Sequence, residues 1–160
     1  MQLTRYQPEH QEQMLALHRS AIVGFTLGMS QQEDEADLMA IERVYLVNGG
    51  EFLIGFIGKR LVAMGGIKRL SENSAELRRM RIERELQGRG YGTQLLHKLE
   101  WIAFQAGIRK LCLETARRRP LTLEFYRKHG YQATGRGFYG EVETVQFNKT
   151  LDERDFKYAT

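Results

Sequence analysis

The sequence predicts an α/β (α+β) domain with one mixed central sheet and helices on both faces. Three stretches carry that expectation. Residues 51–82 read as an antiparallel meander, 75–114 as a strand–helix–strand unit with a glycine-dense turn at its first junction, and 132–151 as a closing antiparallel pair. A crossover helix favours parallel pairing of the strands it joins, whereas the meander and the closing pair are antiparallel, so the sheet must be mixed. With 160 residues, 42% of them hydrophobic, the chain has the size and composition of a single domain, 1–160, with a real core.

Composition narrows the function. The lone Cys112 excludes an internal disulfide and suits a reducing compartment. His10, His18, His97 and His129 are dispersed, so no metal site is expected. No apolar run reaches membrane-spanning length, and residues 1–5 lack a signal-peptide core, which together point to a cytoplasmic protein without a membrane partner. The net charge of +4 is unevenly placed: basic residues crowd into 78–89 and 117–119, acidic ones into 33–37. No aromatic-interleaved stripe accompanies the arginines, so they fit a compact polyphosphate better than a nucleic acid.

Residues 2–6 can form a first strand. Pro8 suits the first turn of a helix whose Met14, Leu17 and Ala21 share a face. Residues 24–29 interrupt it. Ser30 is a plausible N-cap for a second amphipathic helix carrying Leu38, Ile41 and Tyr45, stopped by Asn48, Gly49 and Gly50. Strands at 51–57 and 61–69 flank a hairpin turn at 58–60. The third strand, 75–82, has a phase flaw: Ala75 and Leu77 share one face, Met80 and Ile82 the other. One extra residue between Leu77 and Met80 restores a common face, as a β-bulge does, and frees backbone groups that could grip a ligand's amide arm. The alternative is a surface-exposed apolar residue.

The turn Gln87, Gly88, Arg89, Gly90, Tyr91, Gly92 leads into a helix over 93–106 with Leu95, Leu96, Leu99, Ile102, Ala103 and Ala106 on one stripe. Glycines there permit tight folding and close ligand approach, and the first helical turn offers unpaired N–H groups to an anion. A turn that merely bends the chain is the competing reading. Gly107 ends the helix, 109–114 is a short buried strand, 117–119 a loop, and Pro120 opens a helix that closes at Gly130. Strands at 132–139 and 142–151 follow, and 152–160 reads as a frayed tail.

This order, with the glycine turn after the fourth strand, resembles the GNAT acyltransferase superfamily. The turn Gln87–Gly92 is similar to that family's Arg/Gln-x-x-Gly-x-Gly/Ala, Ile82 stands where a small aliphatic residue ends the preceding strand, and Phe125, Tyr126, Gly130 and Tyr131 match a downstream signature. Leu111 to Thr115 looks like the family's fifth strand. The Asn that often precedes the last helix is Arg119 here, and a common Pro is Arg84. A dinucleotide fold would need Gly-x-Gly-x-x-Gly, which Gly88, Gly90 and Gly92 do not supply.

The resemblance implies a GNAT-like acyl-CoA fold that moves acetyl from acetyl-CoA to a small-molecule or peptide amine by direct attack, as a monomer or homodimer. It implies cofactor contacts from Met80, Arg81, Ile82, Gln87, Gly88, Arg89, Gly90, Tyr91, Gly92, Thr93 and Tyr126. Tyr126 matches the family's general acid, and Glu114 a position that can hold the base. Glu76 on the bulged strand is a second base candidate. Each has a structural alternative: a carboxylate paired with an arginine, or a tyrosine packed in the core. A catalytically weak acyl-CoA-binding or sensing module is the alternative function. By resemblance, residues 24–29 and 135–140 frame the acceptor, with Phe25, Phe138 and Tyr139 making its pocket partly aromatic.

Overall fold

The computed structural model describes residues 1–24 and 28–157. Strands β1 (Gln2–Arg5), β2 (Glu51–Ile57), β3 (Arg60–Arg69), β4 (Ser74–Ile82), β5 (Lys110–Ala116), β6 (Gln132–Tyr139) and β7 (Val142–Thr150) build one sheet of order β1-β2-β3-β4-β5-β7-β6. All neighbours are antiparallel except β4 and β5. The helices are α1 (Gln11–Ile22), the short α2 (Gln31–Asp34), α3 (Tyr91–Gln105) and α4 (Pro120–Lys128).

Apolar alternation along the strands divides the core. Leu53, Ala63, Leu77, Leu111, Leu113 and Phe147 point to the face covered by α3 and α4, where Leu95, Leu96 and Leu99 meet them. Phe52, Ile54 and Met64 point to the other face, under Met14 and Leu17 of α1 and under Leu38, Ile41 and Tyr45. Because both faces are covered, the central strands read as nearly continuous apolar runs.

The phase flaw in the third meander strand is a bulge. Across β3, Met64 pairs with Arg81 and Gly66 with Arg78, so Arg79 and Met80 together oppose Gly65. Arg79 takes the strain of the extra residue in a left-handed conformation, φ 59°. The parallel partner then diverges: β4 pairs with β5 only from Ser74 to Glu76, against Lys110 to Cys112. Beyond that point the sheet opens into a wedge.

Two expectations are corrected. The second helix is not continuous. After α2 the chain passes through a 3-10 turn, Leu38–Ala40, and a π-helical stretch, Glu42–Leu46, in which Val47 N–H bonds to Glu42 C=O. At the break a residue distant in sequence intervenes: Arg79 Nη2 donates to the Asp34 carbonyl at 2.5 Å, taking the acceptor that the next helical turn would use. The tail is not frayed through its described part. Asp152 accepts from Arg154 N–H at 2.8 Å, and Phe156 packs on the rings of Trp101 and Phe104, while 158–160 lie outside the described residues. Residues 132–139 form β6, as expected.

Candidate active site

The wedge between β4 and β5 holds a cleft of about 680 Å³. Met80, Ile82, Gln87, Gly88, Gly90, Gly92, Thr93 and Tyr126 line one part of it; Glu76, Arg81, Glu114, Arg119, Tyr139 and Thr144 line another. The expected cofactor residues and both candidate carboxylates are thus brought to one opening. Arg89 and Tyr91 belong to the same turn but not to that lining.

Gly90 is the N-cap of α3 at φ 86°, and no side chain caps that helix end. The helix therefore starts inside the glycine turn, two residues earlier than the apolar stripe suggests, and the N–H groups of Tyr91, Gly92 and Thr93 have no partner within the helix. Gly88, at φ 75°, and Gly90 both face open space where a side chain would otherwise project. Gln87 Nε2 donates to the Ile82 carbonyl at 3.0 Å, tying the turn to the end of the bulged strand. A 15-residue helix presenting uncapped donors beside such a turn fits a diphosphate, and these residues fit CoA in that respect.

Tyr126 is buried at the wedge, its ring packed against Phe125 and Tyr131. Burial pushes its phenol up to about 12, with the positive charge of Arg81 opposing the rise. No hydrogen bond within the chain engages its hydroxyl among the described residues. His129, which the sequence offered no reason to single out, bridges α4 to α3: it lies 2.7 Å from the Phe125 carbonyl through Nδ1 and 3.1 Å from Thr93 Oγ1 through Nε2. A proton on Nδ1 is donated to that carbonyl, and Nε2 shares its hydrogen bond with the Thr93 hydroxyl.

On the opposite face, Glu114 is exposed on β5 and accepts from the Thr144 hydroxyl. A side chain at Gly137 would stand 2.6 Å from the Glu114 Oε1, so glycine in β6 leaves that carboxylate its room. Glu76 lies 3.7 Å from Arg78 Nε. Phe138 is 73% exposed and is absent from the cleft lining, contrary to its expected place in the pocket; Phe25 lies outside the described residues.

Beneath the bulge is a buried ionic network that sequence reading missed. Arg79 Nη2 donates to Asp37 Oδ1 at 2.6 Å, and its Nη1 lies 3.4 Å from Asp34 Oδ1. Tyr139 donates to Asp34 at 2.7 Å, Tyr45 donates to Asp37, and His18 Nε2 is 2.8 Å from Asp34 Oδ2. Burial alone would raise both aspartates, but the hydrogen bonds of Tyr139 and His18 at Asp34, those of Arg79 and Tyr45 at Asp37, and the Arg79 charge hold them low. Only the acidic run at 33–37 and the basic run at 78–89 hinted at this pairing.

A mixed sheet that splits between its two parallel strands, beside a helix whose N-terminus forms a glycine turn, is the architecture of N-acetyltransferases of the GNAT type. The model of the Acetyltransferase (GNAT) family matches residues 12–131, and the chain belongs to that family. Among solved structures, a GNAT-family acetyltransferase from Staphylococcus aureus superposes with a TM-score of 0.85 at 21% identity, covering 94% of this chain and 99% of that one. The PaiA N-acetyltransferase of Thermoplasma acidophilum, solved with coenzyme A, gives 0.72 at 20% identity over 94% of this chain and 98% of that one. An aminoglycoside 6'-N-acetyltransferase complexed with coenzyme A gives 0.74 at 17% identity, covering 96% and 99%. At these identities the likeness establishes the fold. No curated protein matches the chain. Among the described residues no helix is long and apolar enough to cross a membrane.

Proposed function

We propose that the chain is an acetyl-CoA-dependent N-acetyltransferase that acylates a primary amine by direct attack. The observation that carries this reading is the cleft itself, where a glycine-capped helix start, a bulged strand and a buried tyrosine converge with carboxylates across the sheet. Family membership and the coenzyme A complexes of two structural neighbours support it.

When bound, acetyl-CoA supplies an acyl carbon already activated as a thioester. The amides of Tyr91, Gly92 and Thr93, with Gly88 and Gly90 clearing the approach, hold the diphosphate, and Arg89 adds charge at the rim. The stretch Met80, Arg81 and Ile82, which lies beyond the end of the β4–β5 pairing, runs along the pantetheine arm and grips it through backbone groups that face the opening. An N–H at Ile82 stabilises the oxyanion as it forms. Glu114 takes a proton from the incoming ammonium, directly or through water, with Thr144 fixing the carboxylate; Glu76 is the second candidate. The phenol of Tyr126, raised to about 12 by burial, stays protonated at neutral pH and gives its proton to the departing thiolate.

The test pairs binding with turnover. Acetyl-CoA raises the melting temperature by mass action, NADH and ATP far less, and a panel of amines with acetyl-CoA releases free thiol. Tyr126→Phe retains the ring and CoA affinity while turnover drops by about 10²–10⁴-fold, the range for a positioned acid. Binding without thiol release from any amine would favour the sensing module. Absence of any acetyl-CoA shift would remove the acyltransferase reading.

A further inference from the structure

Arg81 is a half-buried cation without an ion pair of its own among the described residues. Its neighbour Arg79 is held by Asp34 and Asp37. Arg81 makes no ion pair among the described residues: its Nη1 donates to the Met80 carbonyl at 3.0 Å, and its Nε is buried with no hydrogen-bond partner. Buried charges in proteins are ordinarily paired, because desolvation is costly. Burial, reinforced by the charges of Arg79 and Arg119 and opposed by Tyr126 and Asp34, lowers this guanidinium to about 10. It nonetheless stays protonated at neutral pH.

Its position separates it from the diphosphate. Met80 and Ile82, on either side of Arg81, pack toward the α3 and α4 face. Arg81 pairs instead with Met64, which belongs to the core under α1. The side chain thus lies on the sheet face opposite the helix that offers the phosphate site, near the end of α1, where Arg119 Nη2 donates to the Ala21 carbonyl at 2.8 Å. Arg81 and Arg119 line the same cleft as Glu76 and Glu114. The other carboxylates of that lining have arginine partners, Asp34 with Arg79 and Glu76 with Arg78, which leaves the Arg81 guanidinium on the α1 side and the Glu114 carboxylate on the β5 side without an ion pair among the described residues.

Resting on the acetyl-transfer reading, we infer that the acceptor is an amino acid-like molecule, whose amine is taken by the carboxylate side and whose anionic group docks on Arg81 with Arg119 beside it. A guanidinium fork matches the two oxygens of a carboxylate, or those of a phosphonate, and either would supply the charge and acceptor that Arg81 lacks.

The experiment compares matched pairs at saturating acetyl-CoA: glycine, β-alanine, 4-aminobutyrate and leucine against methylamine, ethylamine, propylamine and isopentylamine, with 2-aminoethylphosphonate as a third arm. Thiol release gives kcat/KM for each. The acidic members lead their neutral partners by about tenfold to a hundredfold, the range that charge-assisted hydrogen bonds supply, and lead mainly through KM. Arg81→Met brings that ratio toward one, and Arg81→Lys keeps part of it. The phosphonate arm tells which anion the site takes. Equal rates for acidic and neutral members of the wild-type chain, or a preference that survives Arg81→Met, overturn the inference. The same pairs titrated by calorimetry into CoA-saturated protein read the preference without turnover, and its absence there overturns the inference as well. Preferential binding of the acids without thiol release would instead sink the acetyl-transfer reading and leave the anion site standing.

Discussion

Arg79 donates to Asp37 across 2.6 Å, joining the bulge of β4 to the irregular helical segment that covers it. The bulge puts Arg79 in a left-handed conformation, a costly one for a residue with a side chain, and the buried network supplies the compensation. Burial opposes the charge on Arg79, yet the hydrogen bonds and charge of Asp37 raise its affinity for the proton above that of a free guanidinium. The bulge that shapes the wedge is thus tied to a buried contact beneath it.

Arg79→Met therefore leaves Asp34 and Asp37 buried with an uncompensated charge. A loss of about 3–5 kcal/mol is expected in denaturant unfolding. Arg79→Met combined with Asp37→Leu removes both members of the closest pair, and the double variant should recover part of that loss. If Arg79→Met alone unfolds at the wild-type midpoint, the network does not hold the bulge.

The glycine turn separates backbone from side-chain recognition. Gly90→Val places a branched residue at φ 86°, where nothing in the chain obstructs it but a ligand would approach. Coenzyme A affinity should fall sharply and stability by about 1–2 kcal/mol. Arg89→Ala, an exposed change, should weaken CoA binding and leave the unfolding midpoint unaltered. Calorimetric titration with coenzyme A distinguishes them. Full affinity in Arg89→Ala would leave the amides of α3 as the entire cradle.

Sequence pattern revealed the parts of this design that depend on neighbours along the chain. The inverted phase of Met80 and Ile82 relative to Ala75 and Leu77 located the bulge, and the glycine spacing located the start of α3. It failed where the deciding partner is remote. The helix after α2 breaks because its Asp34 carbonyl meets Arg79, 45 residues away. Arg81 was read only as part of a ligand-gripping backbone, because its lack of an ion pair depends on the distant Asp34 and Asp37 being paired with Arg79. The opening between β4 and β5 depends on how far their pairing extends, which neither strand's composition records.

His18 gives the fold an acid limit. Its Nε2 contacts Asp34, but its Nδ1 is buried with no partner, so a second proton there would be an unsatisfied buried donor. Burial and the Arg81 charge lower its affinity for protons, with Asp34 opposing, and the folded value lies below the ordinary 6.5. In the window between the folded value and 6.5 the unfolded chain binds more protons. This contribution to stability is complete above 6.5 and declines as pH falls through that window, by at most about 1.4 kcal/mol per pH unit. His18→Gln should flatten the unfolding free energy as pH falls below 6.5. A wild-type curve that is already flat there would mean that the imidazole titrates equally in both states.

The base assignment turns on two carboxylates in different surroundings. Glu114 receives the Thr144 hydroxyl and has room beside Gly137; Glu76 stands near Arg78, which ties it to a charge of its own strand. Glu114→Gln preserves shape and removes the charge. If Glu114 deprotonates the acceptor, the acidic limb of the kcat/KM profile should vanish or move, and activity should return at higher pH, where free amine becomes abundant. Thr144→Val withdraws the hydroxyl that orients the carboxylate and should produce a smaller loss in kcat with the profile kept. Glu76→Gln is the matched control, and a loss confined to it would transfer the role. Near-normal profiles in both would show that neither carboxylate is the base and that the proton leaves through water. A rise in acceptor KM with kcat intact in Glu114→Gln would instead make this carboxylate a holder of the ammonium.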